Sequence, residues 1–399
     1  VQSQWEGSVK FIFQPAEERL PGGAKQMIAE GVLENPKVNG MFGQHVFPDL
    51  EVGKVGFKAG MYMASTDELH ITILGKGGHA ALPEKNKNPI QPVSGTKVPR
   101  FAGPSTFARL PEIRDVKSCD VAIVGVPFDA GTSYRPGARF GPQSIRQASR
   151  HLRTNYHPNY DTEPFKVQQV ADAGDIVCNP FNINEAIKQI EKGAFELLNK
   201  VGGIISMGGD HTIAFPLLKA INKINNGPVA LVHFDAHLDT WDTYFGAPYT
   251  HGTPFRRARE ENLFLEDSSM HVGIRGPLYS RDDLKNDAEF GFKIIHCDEF
   301  QTEGIDKIVK RIKDKVGKKP LYLSIDIDVL DPSHAPGTGT PEIAGMTTRE
   351  MVNVLRGLAG VNLISADVVE VAPAYDHAEL TSLAAATIVY ELTNLFAKS

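Results

Sequence analysis

No apolar run in this 399-residue chain approaches the roughly 18 residues that a membrane-spanning helix needs, so no membrane association is expected. Cysteine is scarce. Cys119, Cys178 and Cys297 are odd in number and far apart, which argues against a disulfide framework and for a reducing, cytoplasmic setting. There is no basic block. Forty-two Lys and Arg against 48 Asp and Glu leave a formal charge of −6, so nucleic acid is not an expected partner. A charged-then-apolar leader is missing, which leaves secretion unsupported, and a start at Val1 in mid-pattern suggests a truncated or processed N-terminus. Internal repeats and low-complexity tracts are absent as well. What remains is an ordinary globular composition, long enough for two or three domains of about 150 residues each.

The most informative stretch is Val232-His233-Phe234-Asp235-Ala236-His237-Leu238-Asp239. An apolar run from Val229 to Phe234 reads as a buried strand, and it ends abruptly in Asp-x-His-x-Asp. Burying unpaired charge at such a strand end costs several kcal/mol, roughly, per ion. A divalent metal resolves the conflict, because it binds deprotonated oxygen and nitrogen ligands. Two further runs share the design. Leu321 to Ile325 closes in Asp326-Ile327-Asp328, and Ile204 to Met207 closes in Gly208-Gly209-Asp210-His211. In open parallel sheets, sites are built at the C-terminal rim of the strands. His211, Asp235, His237, Asp239, Asp326 and Asp328 are more ligands than one ion needs, and they suit two hard divalent ions sharing carboxylates.

The first ninety residues read differently from the rest. Strands are expected at Val9 to Phe13, Val38 to Val46 and Leu69 to Leu74, and a helix at Ala24 to Leu33. Gly75 to His79 is an expected turn. A polar, Pro-bounded stretch from Pro83 to Pro89 reads as a linker, with a domain boundary near Gln91. Phe13-Gln14-Pro15-Ala16-Glu17-Glu18, Gly43-Gln44-His45-Val46 and Gly77-Gly78-His79-Ala80-Ala81 resemble the M20 amidohydrolases, of aminoacylase and hippurate-hydrolase type. By that resemblance Glu17 would be a general base, Glu18 and His45 metal-site residues, and His79 part of the inserted dimerisation domain. The family's Cys-x-His ligand piece and its C-terminal ligand His have no counterpart here. Residues 1–90 are therefore expected to be a partial α+β segment without catalysis, one that leaves apolar faces exposed.

From Gln91 the pattern is continuous α/β. Val121 to Val126 is a buried-strand run, followed by Pro127-Phe128-Asp129-Ala130-Gly131. Arg135-Pro136-Gly137-Ala138-Arg139-Phe140-Gly141-Pro142 opens a helix with Ile145, Ala148 and Leu152 along one side. Helical stripes appear at Ile183, Ile187, Ile190, Ala194 and Leu197, and again at Ile305, Ile308, Val309, Ile312 and Val316. Thr347-Thr348-Arg349-Glu350 is a capping box before a further helix. Val361 to Ile364 leads into Asp367-Val368-Val369-Glu370. The alternation predicts a three-layer αβα architecture around a mostly parallel sheet in residues 91–399.

Residues 91–399 closely resemble the ureohydrolases, the arginase and agmatinase superfamily. The resemblance rests on Gly208-Gly209-Asp210-His211, Asp235-Ala236-His237-Leu238-Asp239, the run from Ser324 to Pro332, and Asp367-Val368-Val369-Glu370. Thr250-His251-Gly252-Thr253-Pro254-Phe255 and the Arg135 to Pro142 loop are of the agmatinase kind. The resemblance implies two Mn²⁺ ions per subunit. One would take His211, Asp235, Asp239 and Asp326, and the other Asp235, His237, Asp326 and Asp328, with Asp235 and Asp326 bridging. On ligand chemistry alone Zn²⁺, Co²⁺ and Ni²⁺ stay open. The metal pair makes hydroxide available near neutral pH for attack on the guanidino carbon of a small substrate. Glu370 would bind the guanidinium and His251 would shuttle a proton to the departing amine. The family also implies a homo-oligomer, a trimer or hexamer.

The far end of the substrate leaves two readings. Agmatine ends in an ammonium, which aromatic faces and a carboxylate favour, and Trp241, Asp242 and Tyr244 could supply them. A guanidino acid such as 4-guanidinobutanoate ends in a carboxylate, for which Arg135, Arg139 and Arg256 are within reach. The expected reaction is agmatine and water to putrescine and urea, a step in polyamine metabolism, with guanidinobutyrase-type activity as the alternative.

Overall fold

Eight short apolar segments pair side by side in one parallel sheet. They are β1 (Cys119–Val126), β2 (Val170–Asp175), β3 (Val201–Gly208), β4 (Ala230–Phe234), β5 (Met270–Ile274), β6 (Lys293–His296), β7 (Leu321–Asp326) and β8 (Leu363–Val369). Their order across the sheet is β2-β1-β3-β8-β7-β4-β5-β6. The structure is a computed structural model that describes residues 7–16, 22–43, 50–57, 60 and 89–399.

Every residue of β4 and of β7 is buried, with no polar alternation, because helices cover both faces. Successive side chains point to opposite faces, so Ile205 joins one core and Ile204 the other. The first core packs Ile205, Val232, Phe234 and Leu323 against Ile308, Ile312, Met351, Leu355 and Ile388. These last come from the helices Ile305–Val316, Thr348–Gly357 and Leu380–Phe396. The second core packs Val124, Ile204 and Leu231 against Ile187, Ile190, Leu217, Ile221 and Phe255, from Ile183–Leu198, Ala214–Asn225 and Pro254–Glu260. The architecture is the expected αβα sandwich.

Local chemistry fixes the helix ends. The Asn182 side chain accepts from the Glu185 N–H at the start of Ile183–Leu198. Thr347 and Glu350 form the reciprocal capping box that their spacing predicts. Sequence periodicity did not anticipate β2, β5 and β6. Their runs are short and interrupted: β2 carries Asp172, Gly174 and Asp175, and β5 carries His271 and Gly273. β6 is a four-residue edge strand.

The chain divides into two units, Val1–Lys76 and Gly77–Ser399. Among the described residues of the first unit there is one helix, Ala24–Ala29, with no buried residue. It ends short of the expected Leu33, in turns. No strand forms over residues 9–13 or 38–43, contrary to the pattern. A strand needs neighbours that take up its backbone hydrogen bonds and cover one face, and none pairs with these segments among the described residues. Glu17, Glu18, His45 and His79 lie outside the described residues, as do the strand and turn expected over residues 69–79 and all of the expected linker but Pro89. In the second unit, the Ile90 N–H donates to Gln169 Oε1 and Gln91 Nε2 to the Phe165 carbonyl.

Candidate active site

The four central strands β3, β8, β7 and β4 are consecutive neighbours and parallel, so their C-terminal ends share one rim. After β3 the chain turns at Gly209, where a Cβ would sit 2.1 Å from the Phe128 carbonyl oxygen; only glycine allows that approach. Asp210 then caps the following turn, its carboxylate accepting from the N–H groups of Thr212 and Gly131 at 2.9 and 2.7 Å. This delivers His211 to the rim. Asp239 and Glu370 both hold left-handed backbone, φ 54° and 64°. Non-glycine residues rarely adopt it, and such strain clusters at functional sites.

The six expected ligands converge. His211 Nδ1 lies 3.1 Å from Asp235 Oδ2, 3.0 Å from Asp239 Oδ2 and 3.2 Å from Asp326 Oδ2. His237 Nδ1 lies 3.3 Å from Asp235 Oδ1 and 3.2 Å from Asp328 Oδ2. Asp235 is thus common to two ligand groups, one oxygen turned to each. Asp326 turns Oδ2 to the His211 group, and its other oxygen accepts the N–H of Asp328, a member of the second group, at 2.8 Å.

Does this cluster fit metal? His211 Nδ1 is buried and has no hydrogen-bond partner, although three carboxylate oxygens crowd it. The three oxygens lie within 3.0–3.2 Å of the nitrogen without meeting the geometry of a hydrogen bond. The ring's other nitrogen explains this. The Ser324 hydroxyl donates to Asp367 Oδ1 at 2.8 Å, so it accepts from His211 Nε2–H, also at 2.8 Å. That leaves the neutral ring's lone pair on Nδ1, and an outer hydrogen bond of this kind is how metal-binding histidines are oriented. Without a cation, the same crowd of carboxylates draws a proton onto that nitrogen instead. Burial opposes a charged ring at His211, but Asp235, Asp239 and Asp326 outweigh it and raise its pKa well above free imidazole. Burial and the neighbouring Asp328 and Asp235 charges push Asp326 well up, and burial with Asp235 pushes Asp239 up to about 6. A niche that strains to hold its own negative charge fits a divalent cation.

His233 also lies within reach of this cluster, but both its ring nitrogens have partners: Nε2 with Asp235 Oδ2 and Nδ1 with His271 Nδ1, each at 2.7 Å. With no free lone pair it serves as an outer layer rather than a ligand. Sequence reading passed it over because a histidine inside a buried strand carries no signal of its own.

Glu370 is buried. Its Oε1 accepts from the His211 N–H at 3.0 Å and from His251 Nδ1–H at 3.1 Å, and its Oε2 has no partner. The Ser133 N–H points at His251 Nε2 from 3.2 Å, with the Ser133 hydroxyl at 2.7 Å, so Nε2 carries the lone pair in the neutral ring. Burial pushes the His251 imidazole down, and the Glu370 hydrogen bond and charge, with Asp239 and Asp210, more than reverse this, to about 9. A ring so held can accept and release a proton at Nε2.

Above the cluster opens a cavity of about 400 Å³. His237, Asp239, Asp326, His251 and Ser133 line it together with Trp241, Tyr244, Tyr279, Thr340 and Glu342. The three aromatic rings meet edge to face at centroid distances of 5.6–6.2 Å. Trp241 and Tyr244 therefore reach the cavity as expected, whereas Asp242 does not line it; its carboxylate pairs with Arg257 at 2.6 Å. Among the described residues no Arg or Lys lines the cavity. Arg139 pairs with Asp129, Arg256 with Glu260, and Arg135 stacks between Tyr134 and Tyr375. Ser133, Tyr279 and Glu342 escaped the sequence reading because each lies in a loop without a motif of its own. The Glu342 loop is held by the Arg275 guanidinium, which donates to the carbonyls of Asp328, Leu330, Glu342 and Ile343.

Comparison with known proteins agrees with this geometry. Residues 119–394 match the pattern described as the arginase family. The chain is 43 % identical to a guanidinopropionase of Pseudomonas aeruginosa over 77 % of its own length and 96 % of that protein's. It is 40 % identical to a mitochondrial agmatinase of Gallus gallus, covering 75 % of this chain and 88 % of the relative. The solved proclavaminate amidino hydrolase of Streptomyces clavuligerus superposes with a TM-score of 0.72 at 39 % identity, over 75 % of this chain and 99 % of that one.

Proposed function

The chain belongs to the arginase family and is a guanidino hydrolase of that family, and on that premise we propose that its substrate is agmatine, hydrolysed to putrescine and urea. The observation that carries the reading is His211 Nδ1, buried, without a hydrogen-bond partner, and ringed by three carboxylates at a rim where four strands end.

His211, Asp235, Asp239 and Asp326 would hold one Mn²⁺, and Asp235, His237, Asp326 and Asp328 a second; the pair supplies Lewis acidity and a water activated near neutral pH. The chain's own residues do the rest. Glu370 Oε2, buried and without a partner, accepts guanidinium N–H groups and offsets the substrate's charge beside the metal site. His251 receives a proton at Nε2 and delivers it to the departing amine, while Glu370 Oε1 holds the ring through Nδ1–H. Trp241, Tyr244 and Tyr279 present ring faces to the distal ammonium, and Glu342 presents a carboxylate. Glu342 takes the part expected of Asp242, whose charge Arg257 already engages.

The alternative is a guanidino acid, favoured by the likeness to a guanidinopropionase. The absence of Arg and Lys from the described cavity lining speaks for agmatine. Urea release from the Mn²⁺-loaded chain with agmatine, 3-guanidinopropanoate and 4-guanidinobutanoate separates the two. Agmatine should turn over fastest; turnover of the acidic compounds alone would refute the assignment.

We further assign Mn²⁺ as the native metal, a homo-oligomer (trimer or hexamer) as the assembly, and the cytoplasm as the location. No described helix is long and apolar enough to cross a membrane. Residues 1–90 are assigned no catalytic role, and residues 91–399 carry the hydrolase.

A further inference from the structure

We propose that Asp287, His271 and His233 form a buried hydrogen-bonded chain whose task is to position the shared ligand Asp235. It rests on the metal-pair reading above. His233 Nε2 faces Asp235 Oδ2 at 2.7 Å, His233 Nδ1 faces His271 Nδ1 at 2.7 Å, and His271 Nε2 faces Asp287 Oδ1 at 3.0 Å. All four residues are fully buried, so no water competes for these contacts.

The donors follow from valence. Asp235 is ionised and only accepts, so His233 Nε2 carries a hydrogen. The two facing Nδ1 atoms share a single hydrogen, one ring donating it and the other accepting. His271 Nε2 and Asp287 Oδ1 share a third hydrogen, so the three links together hold one proton more than two neutral imidazoles carry. Each link thereby dictates the orientation of the one before, ending at the carboxylate that faces both metal-ligand groups.

A second tie runs from the same aspartate. Thr240 Oγ1 donates to Asp287 Oδ1 at 3.0 Å, and Thr240 directly follows the ligand Asp239. Asp287, on the helix Asp282–Glu289 and touching no expected ligand itself, therefore anchors two ligands by separate routes. His271 is kept in plane by stacking on Phe292, centroids 3.9 Å apart. Asp287, His271 and His233 are positioning residues, not catalytic ones.

Mn²⁺ affinity of the full-length chain, read by chelator competition together with the metal-free melting temperature, tests this. Asp287→Asn and His271→Leu should each weaken Mn²⁺ binding by about 10–100-fold, the usual cost of losing an outer-layer partner. His271→Gln, whose amide can still donate to His233 Nδ1, should recover most of the loss. If His271→Leu does not fold, Asp287→Asn against His271→Gln decides. Folded variants that bind Mn²⁺ as tightly as the parent, with only the metal-free melting temperature lowered, overturn the proposal. A parent chain that binds no Mn²⁺ overturns the metal reading and this inference together.

Discussion

Phe11, Phe13, Phe42 and Phe57 of the first unit are at least 80 % exposed, whereas Phe107, Phe128, Phe165, Phe234 and Phe255 of the second are at most 2 % exposed. The same ring meets two fates in one chain. In the second unit, parallel strands that bury both faces take up one another's backbone groups, and helices close both sides, so an apolar run has somewhere to go. The described part of the first unit has a six-residue helix and no strand to bury a face against. Burial is a property of the partner surface, not of the residue. The same closed sandwich lets four carboxylates and two imidazoles meet at a rim, since strands that end together bring their polar ends together.

The contrast can be broken most directly at the rim. Asp326→Asn should abolish metal retention and lower urea release by at least about a thousand-fold, several kcal/mol of lost Lewis-acid stabilisation. Metal analysis and a urea assay read it, and retained metal with full activity would detach the cluster from catalysis. His251→Asn comes next, slowing turnover by about 10²–10⁴-fold while both ions stay bound. If that variant loses its metal instead, the proton-shuttle role falls.

A paired truncation sharpens the contrast in stability. Ile205→Ala, at a fully buried position of β3, should cost about 2–5 kcal/mol in denaturant unfolding. Phe13→Ala, at a position 85 % exposed, should stay within about 0.5 kcal/mol. Equal effects would mean that the Phe13 ring is as buried as Ile205.

A smaller effect lies at Glu391, buried on the helix Leu380–Phe396. Burial raises its pKa, but hydrogen bonds from His157 and Arg356 outweigh this and bring it below the ordinary value of 4.5. A depressed carboxylate pKa gives stability that is present above the unfolded value and lost as pH falls through the folded one. The parent's melting temperature should therefore fall with acid below about pH 4.5 more steeply than that of Glu391→Gln. Parallel curves would remove the ion pair from the stability account. Smallest of all, deleting residues 1–76 should leave urea release unchanged; loss of activity with retained fold would give the first unit a role in the hydrolase.

Much of the second unit was legible beforehand. β3, β4 and β7 announced themselves as apolar runs that stop at Asp or His, because a buried strand leaving its sheet has few other reasons to end so, and β1 and β8 were foreseen from their apolar runs. β2, β5 and β6 were not legible, since polar or glycine interruptions erase the period. In the cavity, Trp241 and Tyr244 were foreseen and Asp242 was misjudged. Neighbours in sequence on a loop point in different directions, and Arg257 takes the aspartate outward. Glu342 and Ser133 reach the cavity from loops after other strands, and nothing local marks them.

Sequence by itself determined which strands end in candidate ligands and what chemical type those side chains are, because hydrophobic period and polar punctuation are local properties. Tertiary structure alone decided that His211 Nδ1 is left without a partner, that Asp235 turns one oxygen to each group, and that a histidine inside β4 leans on another in β5 and an aspartate beyond it. Those outcomes depend on hydrogen-bond direction across neighbouring strands, and direction exists only once the strands are side by side.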